Sequence, residues 1–402
     1  MLKNKTILLC VTGGIAAYKA LEVTSQLVKL GANVKVIMTK SATEFVTPLS
    51  FQSLSQNPVH TDMFLEPKAW EIQHIALAKS ADVVAIVPCT ANVIGKIANG
   101  MADDLLTTTV MATNAPILIA PAMNTGMFEN PILKSNISKL LKFGYHFTPP
   151  ATGRLACGDT GFGKLADINK IIDDITTLAF LENRDLRGHH ILVTAGGTQE
   201  DIDPVRFITN RSSGKMGFAI AKAAYLRGAV VTLIAASNIC TPHNGINLVS
   251  VKSANEMYEA VMKHAEISDI IIKAAAVADF KPSIIANNKI KKNDKPIMNI
   301  ELVPNPDILK ELGQKYGGTK ILVGFCMETE NLAENAKGKL VSKNLDFIVA
   351  NNLFENGAGF GTDTNVVTIY SKNGDIDNIK ISSKFDIANK ILDKVLGNLN
   401  DS

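Results

Sequence analysis

Residues 189–217 read HHILVTAGGTQEDIDPVRFITNRSSGKMG. The apolar run Ile191–Val193 ends in the small residues Thr194–Gly197, which is typical of a buried strand followed by a sharp turn. A dense polar segment follows, and Ser212–Lys215 then opens a second apolar, periodic stretch. Polar groups packed between a strand and a helix lie at the carboxyl edge of a parallel sheet, where open α/β folds bind ligands. This stretch therefore predicts a strand, a ligand-binding loop and a helix.

The same alternation of buried strands and amphipathic helices occupies both halves of the chain. Apolar runs that predict strands fall at 6–11, 34–38, 82–87, 116–120, 230–234, 270–276, 321–323, 347–350 and 366–369, with a further strand around Ile300. The pattern predicts an α/β protein with two doubly wound, Rossmann-like parallel-sheet domains. The polar segment 181–188 is the expected linker, which places the domains at 1–188 and 189–402.

Composition favours an ordinary enzyme of small molecules. The chain has 402 residues, 46% of them hydrophobic and 20% charged, with a net charge of +3. That charge is too small to indicate nucleic-acid binding, and no apolar run approaches the roughly 18 to 20 residues of a membrane span. Five scattered cysteines favour a reducing compartment over a disulfide framework. We therefore expect a cytoplasmic protein without nucleic-acid or membrane partners.

Several polar residues of the first half allow both a structural and a functional interpretation. Gly13–Gly14, at a strand end, suits a phosphate or a bare turn equally well, and Asp103–Asp104 favours helix capping. A lone histidine such as His74 is more often structural than catalytic. Cys157 lies in the glycine-rich segment 149–167, which lacks strand or helix periodicity, so a mobile lid with a proton donor and a solvent loop with an incidental thiol stay equally open.

The second half contains a basic loop with similar alternatives. Lys289, Lys291 and Lys292 lie between Pro282 and Pro296 and predict either a solvated turn or part of a triphosphate site. Two helix starts are also marked. Asp307 is a candidate cap for one helix, and Ser253 with Glu256 resembles a capping box for another.

Motifs spread along nearly the whole chain carry a resemblance to a known family. In the first half these are TGGIAAYK at 12–19, His74–Ile75, PCTANVIGK at 88–96, GMADDLL at 100–106, PAMNTGMF at 121–128 and LACGDTGFGKL at 155–165. In the second they are the stretch quoted above, KAAAVADFKP at 273–282, KIKK at 289–292, GFCMET at 324–329 and FGTDTN at 360–365. The sequence resembles the bifunctional coenzyme A biosynthesis family, in which phosphopantothenoylcysteine decarboxylase is fused to phosphopantothenate–cysteine ligase. It departs from the family pattern at Phe128, Lys164 and Ala236–Ser237.

For the first half the resemblance implies a flavodoxin-like flavoprotein that binds FMN. The flavin oxidises the substrate toward a thioaldehyde, after which loss of carbon dioxide gives an enethiolate that must be protonated. The implied FMN-binding residues are Gly13, Gly14, Ile15, Ser41, Pro88, Thr90, Asn92 and Met123. His74 is implied as the catalytic base-like residue, Asn124 as the group that holds the departing carboxylate, and Cys157 as the proton donor. A thiol is suitably acidic for that donation.

For the second half the resemblance implies a ligase that uses CTP, accompanied by Mg²⁺, to activate 4′-phosphopantothenate as an acyl-cytidylate. The amine of cysteine then attacks this intermediate. Asn210 is implied at the acyl-cytidylate, with Arg206 nearby, both as catalytic residues. The implied CTP-binding residues are Lys273, Ala274, Ala275, Asp279, Lys289, Pro306, Asp307, Ile308, Leu309, Phe325, Lys339 and Lys343. The sequence identifies no ligands for Mg²⁺.

The resemblance also implies a homo-oligomer, a trimer-based dodecamer with flavin sites between subunits and paired ligase halves. Two other functions compete with the family reading. A dehydrogenase or nucleotide-binding regulator is disfavoured because neither half contains GxGxxG with an acidic residue about 20 positions on. A flavin-binding scaffold without decarboxylase activity is disfavoured because His74, Asn124 and Cys157 are all present.

Overall fold

The structure is a computed structural model that describes residues 1–64, 72–154, 158, 160–182, 184–236, 245–291, 298–327, 331–351 and 362–400. The chain forms two compact units, Met1–Glu182 and Asn183–Ser402. The division falls earlier than the expected one after Gly188, because Leu186 is fully buried in the core of the second unit.

In the part of the chain that the structure describes, the first unit contains a six-stranded parallel sheet, which is followed by the hairpin β7–β8. Its strands are β1 Thr6–Val11, β2 Asn33–Met38, β3 Val59–His60, β4 Val83–Cys89, β5 Ile117–Pro121, β6 His146–Phe147, β7 Ala151–Arg154 and β8 Thr160–Lys164. Its helices are α1 Lys19–Lys29, α2 Lys40–Thr43, α3 Pro48–Ser55, α4 Gln73–Ser80, α5 Ala91–Ala98, α6 Leu105–Ala112, α7 Thr125–Glu129, α8 Pro131–Lys142 and α9 Ile168–Ala179, with a 3₁₀ turn at Ile15–Tyr18. The strand order β3-β2-β1-β4-β5-β6 is that of doubly wound nucleotide-binding folds.

Both faces of this sheet are covered by helices, which explains why its central strands β1 and β4 are almost continuously apolar. Ile7 and Leu9 of β1 pack into one core with α1 and α9, while Leu8 and Cys10 pack into the other with α5, α6 and α8. Side chains alternate between the faces of a strand, so a strand buried on both sides reads as a continuous apolar run.

The second unit contains an eight-stranded sheet. The described strands of the unit are β9 His190–Ala195, β10 Gln199–Asp201, β11 Phe207–Thr209, β12 Val230–Ala235, β13 Asn247–Ser250, β14 Ile270–Lys273, β15 Phe280–Pro282, β16 Leu302–Pro304, β17 Ile321–Met327, β18 Phe347–Asn351, β19 Thr364–Ser371 and β20 Ile376–Ser383. Of these, β10 with β11 and β15 with β16 form two separate antiparallel pairs outside the eight-stranded sheet. Its helices are α10 Lys215–Leu226, α11 Ala254–Ala265, α12 Ile308–Tyr316, α13 Leu332–Ser342 and α14 Lys384–Asn400. The order β13-β12-β9-β14-β17-β18 is parallel and is extended by β19 and β20.

Three features of the fold differ from the sequence predictions. The strands β19 and β20 pair antiparallel, so this sheet is mixed rather than wholly parallel. Part of the segment 149–167, predicted as a loop, forms the antiparallel pair β7–β8, whose glycines hid the alternation of a strand. The strand expected around Ile300 begins at Leu302.

Candidate functional sites

The second unit has a cleft of about 290 Å³ at the carboxyl edge of its sheet, where the loops after β9 and β14 separate. The strand order reverses between these two strands, and such a reversal opens a crevice for ligands in α/β folds. Gly217 keeps the start of α10 against β9, because a Cβ there would lie 2.7 Å from the carbonyl oxygen of Thr194. The stretch that predicted a strand, a polar loop and a helix thus forms one wall of the cleft.

Asn210 lies on that wall and bridges to the opposite loop. Its amide Nδ2 donates to the carbonyl oxygens of Ala276 and Val277, at 3.3 and 3.2 Å. The side chain is exposed and lines the cleft. Gly197 permits this approach, since a Cβ on it would lie 2.8 Å from the Asn210 carbonyl oxygen. Asn210 is therefore held in place while facing the open volume.

Five lysines line the same cleft and make it electropositive: Lys273, Lys339 and Lys343, which were expected at CTP, together with Lys215 and Lys384. Lys343 forms an ion pair with Asp307, at 2.9 Å between Nζ and Oδ2. Burial, together with the nearby charge of Lys343, lowers the pKa of Lys273 to about 8. Among the described lining residues these lysines outnumber the one carboxylate, that of Asp279, and such an excess of cations suits a polyanion such as a triphosphate.

The structure brings together most, but not all, of the residues expected at CTP. Those that line the cleft are Lys273, Ala274, Ala275, Asp279, Leu309, Phe325, Lys339 and Lys343. Pro306, Asp307 and Ile308 do not line it, although Asp307 reaches it through Lys343 and caps α12 by accepting from the N–H of Lys310. Lys289 is exposed on the segment between β15 and β16 and does not line the cleft.

The cleft also contains polar residues that the sequence analysis did not assign. Ser212, Ser213 and Lys215 were visible in the SSGKMG motif, but the C-terminal part of the unit supplies three more, Asn351, Asn365 and Lys384. Lys215 pairs with Asp363 at 2.7 Å, and Lys384 donates to the carbonyl oxygen of Thr362. The positions of these C-terminal residues depend on long-range pairing of β18 with β19, which no local motif signals.

Arg206, expected beside Asn210, does not line the cleft. Its guanidinium binds the buried carboxylate of Asp203 and donates to the carbonyl oxygen of Ile290 at 2.7 Å. The Arg206 hydrogen bonds hold the pKa of Asp203 well below its usual range. Arg206 thus contacts other residues of the protein, Asp203 and the segment that contains Lys289 and Lys291, rather than the cleft.

In the first unit, the expected FMN-binding residues gather where β1 and β4 diverge. The buried hydroxyl of Thr12 donates to the Pro88 carbonyl oxygen at 2.7 Å and accepts from the Thr90 N–H at 3.0 Å, which ties the two strand ends together. A Cβ on Gly13 would overlap Ser41, lying 2.8 Å from its carbonyl carbon, so only glycine fits this approach. Gly14 lies beside Thr90, but a Cβ on Gly14 would make only an ordinary 3.6 Å contact with the Thr90 methyl group.

The rim of this edge is open and chemically mixed. Ile15 is 58% exposed, and Ser41 and Asn92 are also exposed. Hydroxyl and amide groups beside an apolar side chain are the types that a phosphorylated, planar cofactor requires. The residues present therefore fit FMN.

Asn124 and Met123 lie on the loop after β5, against which the β7–β8 hairpin packs. The Met123 N–H donates to the Gly163 carbonyl oxygen at 2.9 Å, and a Cβ on Gly163 would overlap the Met123 carbonyl oxygen. Asn124 begins α7 and accepts from the N–H of Gly126 at 2.8 Å. Cys157 lies outside the described residues, but Arg154 and Thr160 on either side of its segment pair across the hairpin.

His74 is half-buried in the first turn of α4, which leads into β4. In a doubly wound unit the start of such a helix lies near the carboxyl edge of the sheet, the edge that carries Gly13 and Asn124. The acidic pair has the capping role that the sequence favoured. Asp104 forms a capping box with Thr107 at the start of α6, while Asp103 pairs with Lys96 at 2.8 Å.

Among the described residues, no group of three or more His, Cys, Asp or Glu side chains is arranged to hold a metal ion. No helix in the described part of the chain is long and apolar enough to cross a membrane.

Comparisons with known proteins cover both units. Residues 1–180 match the family described as Flavoprotein, and residues 186–399 match the DNA/pantothenate metabolism flavoprotein C-terminal domain. A coenzyme A biosynthesis bifunctional protein CoaBC from Bacillus subtilis is 50% identical over 98% of this chain and 97% of its own length. The protein of that name from Borreliella burgdorferi is 44% identical over 97% of this chain and 98% of its own.

Solved structures match each unit separately. The C-terminal domain of a CoaBC protein is 40% identical, with a TM-score of 0.47, and covers 55% of this chain and 100% of its own. An FMN-dependent cysteine decarboxylase, SpaF, is 30% identical, with a TM-score of 0.40, and covers 44% of this chain and 99% of its own. On the full-length identities and the two family matches, the chain belongs to the family of bifunctional coenzyme A biosynthesis proteins, enzymes with a decarboxylase half and a ligase half.

Proposed function

We propose that the second unit ligates cysteine to 4′-phosphopantothenate with CTP and that the first unit decarboxylates the product to 4′-phosphopantetheine with FMN. The observation that supports the ligase assignment best is the cleft that unites Asn210 with Lys273, Lys339 and Lys343. The family membership supports the order of the two reactions, since the decarboxylase substrate is the ligase product.

In the proposed ligation, the carboxylate of 4′-phosphopantothenate attacks the α-phosphorus of CTP and pyrophosphate leaves. The cysteine amine then attacks the acyl carbon, a C–N bond forms, and CMP leaves. Lysine side chains neutralise the triphosphate, and the Asn210 amide holds the acyl-cytidylate. The residues proposed at CTP are those named above that line the cleft, from Lys273 to Lys343, with Lys289, Pro306, Asp307 and Ile308 at its periphery.

Mg²⁺ is proposed to arrive bound to the triphosphate. The described residues offer no metal-binding group of acidic side chains, so no protein ligand is assigned to the ion.

In the proposed decarboxylation, FMN when bound takes up an electron pair from the substrate carbon next to the thiol and later returns it. Main-chain groups at Gly13–Ile15 and the side chains of Ser41, Thr90 and Asn92 hold the cofactor, with Pro88 and Met123 beside it. Asn124 holds the carboxylate that leaves, His74 acts as the base, and Cys157 donates the final proton. The packing of the β7–β8 hairpin on the Met123–Asn124 loop supports a shared site for Asn124 and the Cys157 segment.

We further propose a homo-oligomer, a dodecamer built from flavoprotein trimers with paired ligase halves. Exposed apolar side chains support an interface on the strand pairs β10–β11 and β15–β16 and the segment after β15, at Phe207, Phe280, Ile284, Ile285 and Leu302. Patches of this kind commonly mark protein–protein contacts. The scattered, free thiols Cys10, Cys89 and Cys326 are consistent with a cytoplasmic setting. Native mass spectrometry of the purified protein measures the subunit number directly.

The proposal is tested by supplying the protein with 4′-phosphopantothenate, cysteine, CTP and Mg²⁺ and measuring 4′-phosphopantetheine by mass spectrometry. We expect a yellow protein that releases FMN on denaturation and forms the product only when CTP is present. A colourless protein that added flavin does not rescue would contradict the decarboxylase assignment. Product formation without any nucleotide would contradict the ligase assignment.

A further inference from the structure

A buried carboxylate outside the cleft organises the basic segment that follows β15. The side chain of Asp203 is fully buried, and its Oδ1 accepts from the N–H groups of Val205 and Arg206 at 2.8 and 2.9 Å. Its Oδ2 accepts from Arg206 Nε at 3.0 Å and from the N–H of Ile290 at 3.1 Å. Asp203 therefore joins the loop between β10 and β11 to a residue 87 positions away.

Arg206 completes the contact from the other side. Its Nη2 donates to the carbonyl oxygen of Ile290 at 2.7 Å. Ile290 is thus held at both of its main-chain polar groups, by two side chains that are themselves paired. A second tether lies a few residues earlier, where the Ala286 N–H donates to the Ile202 carbonyl oxygen at 3.0 Å.

Ile290 separates Lys289 from Lys291, and both lysines are exposed. Their segment has no regular helix or strand from Ser283 to Lys291, so it lacks the repeating main-chain hydrogen bonds that order helices and strands. Fixing the backbone of one residue costs roughly 1–2 kcal/mol of conformational entropy, which a free segment would lose when its lysines bind a ligand. A preformed anchor at Ile290 removes part of that cost before the ligand arrives.

The same contacts make Arg206 a poor direct ligand. Its charge is paired with the Asp203 carboxylate, and its hydrogen bonds point to Asp203 and Ile290 rather than into the cleft. A planar, forked guanidinium is the side chain best suited to bind a carboxylate and a carbonyl oxygen at once.

We infer that Asp203 and Arg206 form a clamp that fixes the main chain of Ile290 and so positions Lys289 for the triphosphate. Arg206 is then a positioning residue that acts through Ile290 and does not touch the substrate. This inference rests on the proposed role of Lys289 at CTP. It assigns to Asp203 a function in the ligase and replaces a direct catalytic role of Arg206.

The test is a double-mutant cycle in the full-length protein, with ligase kinetics and hydrogen exchange as readouts. Arg206→Lys and Asp203→Asn are each measured alone and combined with Lys289→Gln. Each clamp variant is expected to raise KM for CTP at least tenfold with a smaller change in kcat, and to lose exchange protection in the peptide that contains Ile290. In the Lys289→Gln background the same changes are expected to raise KM less than twofold further, since coupled residues are not additive.

Asp201→Asn is the matched control, because Asp201 lies on the same hairpin and pairs with Lys252 instead. It is expected to leave both KM and the protection of Ile290 unchanged. Arg206→Lys keeps the positive charge beside Asp203 and every hydrogen bond from a main-chain N–H to the Asp203 carboxylate. This variant therefore suffices for the test if Asp203→Asn does not fold.

Two results overturn the clamp. Fully additive effects of Arg206→Lys and Lys289→Gln would show that Arg206 acts independently of the lysine. Unchanged kinetics in Lys289→Gln would refute the proposed role of that lysine and, with it, the clamp. The ligase proposal itself would still stand if Asn210 variants lose ligase activity. The two failures are therefore distinguishable.

Discussion

The ammonium of Lys343 lies 2.9 Å from a carboxylate oxygen of Asp307, whereas Lys273 beside it forms no ion pair with any residue that the structure describes. The groups that face Lys273 are Lys343, Lys339, Asp307 and Asp279. Its pKa is lowered from 10.5 to about 8, by burial first and by Lys343 next. Lys273 thus holds its charge at neutral pH at a cost that an anionic ligand would remove.

This cost predicts a pH-dependent affinity for CTP. As the pH rises from 7 to 9, Lys273 loses its proton and the dissociation constant for CTP is expected to rise. Binding at pH 8.5 should take up a proton, because the phosphates raise the pKa of Lys273 again. Isothermal titration calorimetry in two buffers of different ionisation heat measures that uptake. Affinity that stays constant over this range, with no proton uptake, would refute the assignment.

The lowered pKa of Lys273 also predicts that replacing this lysine increases the stability of the free protein and weakens CTP binding. Between pH 8 and 10.5 the unfolded chain binds more protons at this position than the folded one, so stability contributed by this group rises with pH. Lys273→Met removes the penalty and should stabilise the free protein at pH 7 by on the order of 2 kcal/mol while weakening CTP binding. Lys310→Met, at an exposed position on α12, is the control and should change neither.

Gly13→Ala is expected to remove flavin from the protein. The added Cβ would overlap Ser41, so the turn after β1 would move away from α2 and disturb both groups proposed to hold FMN. The measurement is the visible absorbance of bound flavin per chain. Gly95→Ala is the control, because its Cβ would meet only the amide of Asn136 at an ordinary 3.9 Å. Full flavin content in Gly13→Ala would argue against this turn as the cofactor site.

Gly163→Ala should lower decarboxylation while sparing the ligase. Its Cβ would overlap the Met123 carbonyl oxygen and displace the hairpin from the Asn124 loop. We expect at least a tenfold loss of decarboxylase kcat with bound flavin retained, and the ligase rate of the same protein is the internal control. An unchanged decarboxylase rate would mean that the hairpin contact does not position the site.

Arg227 predicts a stability effect without a catalytic one. It is 7% exposed and pairs with Asp185 at 2.6 Å and with Asp393 at 2.7 Å. Arg227→Met should destabilise the second unit by about 2–3 kcal/mol in chemical denaturation, less than a fully buried pair because both carboxylates are partly exposed. Lys394→Met, which breaks the more exposed pair with Asp377, should cost below about 1 kcal/mol.

The Arg227 hydrogen bond also lowers the pKa of Asp185. A lowered carboxyl pKa adds stability that is present above its unfolded value of 3.8 and is lost as the pH falls through the folded value. The wild-type protein should therefore lose stability more steeply below pH 4 than Arg227→Met does. Parallel acid-denaturation curves would contradict this.

The parts of the fold that depend on local sequence patterns were predicted from the sequence. Continuous apolar runs marked the strands buried on both faces, and the Thr194–Gly197 turn marked the carboxyl edge where Asn210 lies. The antiparallel end of the second sheet was missed, because pairing of β19 and β20 is decided by tertiary contacts. The β7–β8 hairpin was missed because Gly161 and Gly163 serve close packing, on Thr125 and Met123, rather than a turn.

Site residues could likewise be predicted where a local pattern places them, and could not where long-range contacts do. Lys273 and Ala275 lie in the apolar run 270–276, whose end was predicted at the carboxyl edge; in the structure Lys273 ends β14 and Ala275 follows two residues later. Arg206 could not be placed, because its partner Ile290 is 84 residues distant and has no polar side chain to signal the contact. Lys384 enters the cleft from the start of α14, far from every motif that predicted a nucleotide.

The central claim is that one chain carries two separable reactions, and paired variants test it most directly. Asn210→Asp replaces the donor to two carbonyl oxygens by a carboxylate, and Cys157→Ser removes the proposed proton donor. Each is supplied with 4′-phosphopantothenate, cysteine, CTP and Mg²⁺, alone and mixed, and 4′-phosphopantetheine is measured by mass spectrometry. We predict no product from either variant alone, decarboxylation of supplied phosphopantothenoylcysteine by Asn210→Asp, and product from the mixture. Loss of both activities in folded Asn210→Asp, or full product from Cys157→Ser alone, would contradict the account.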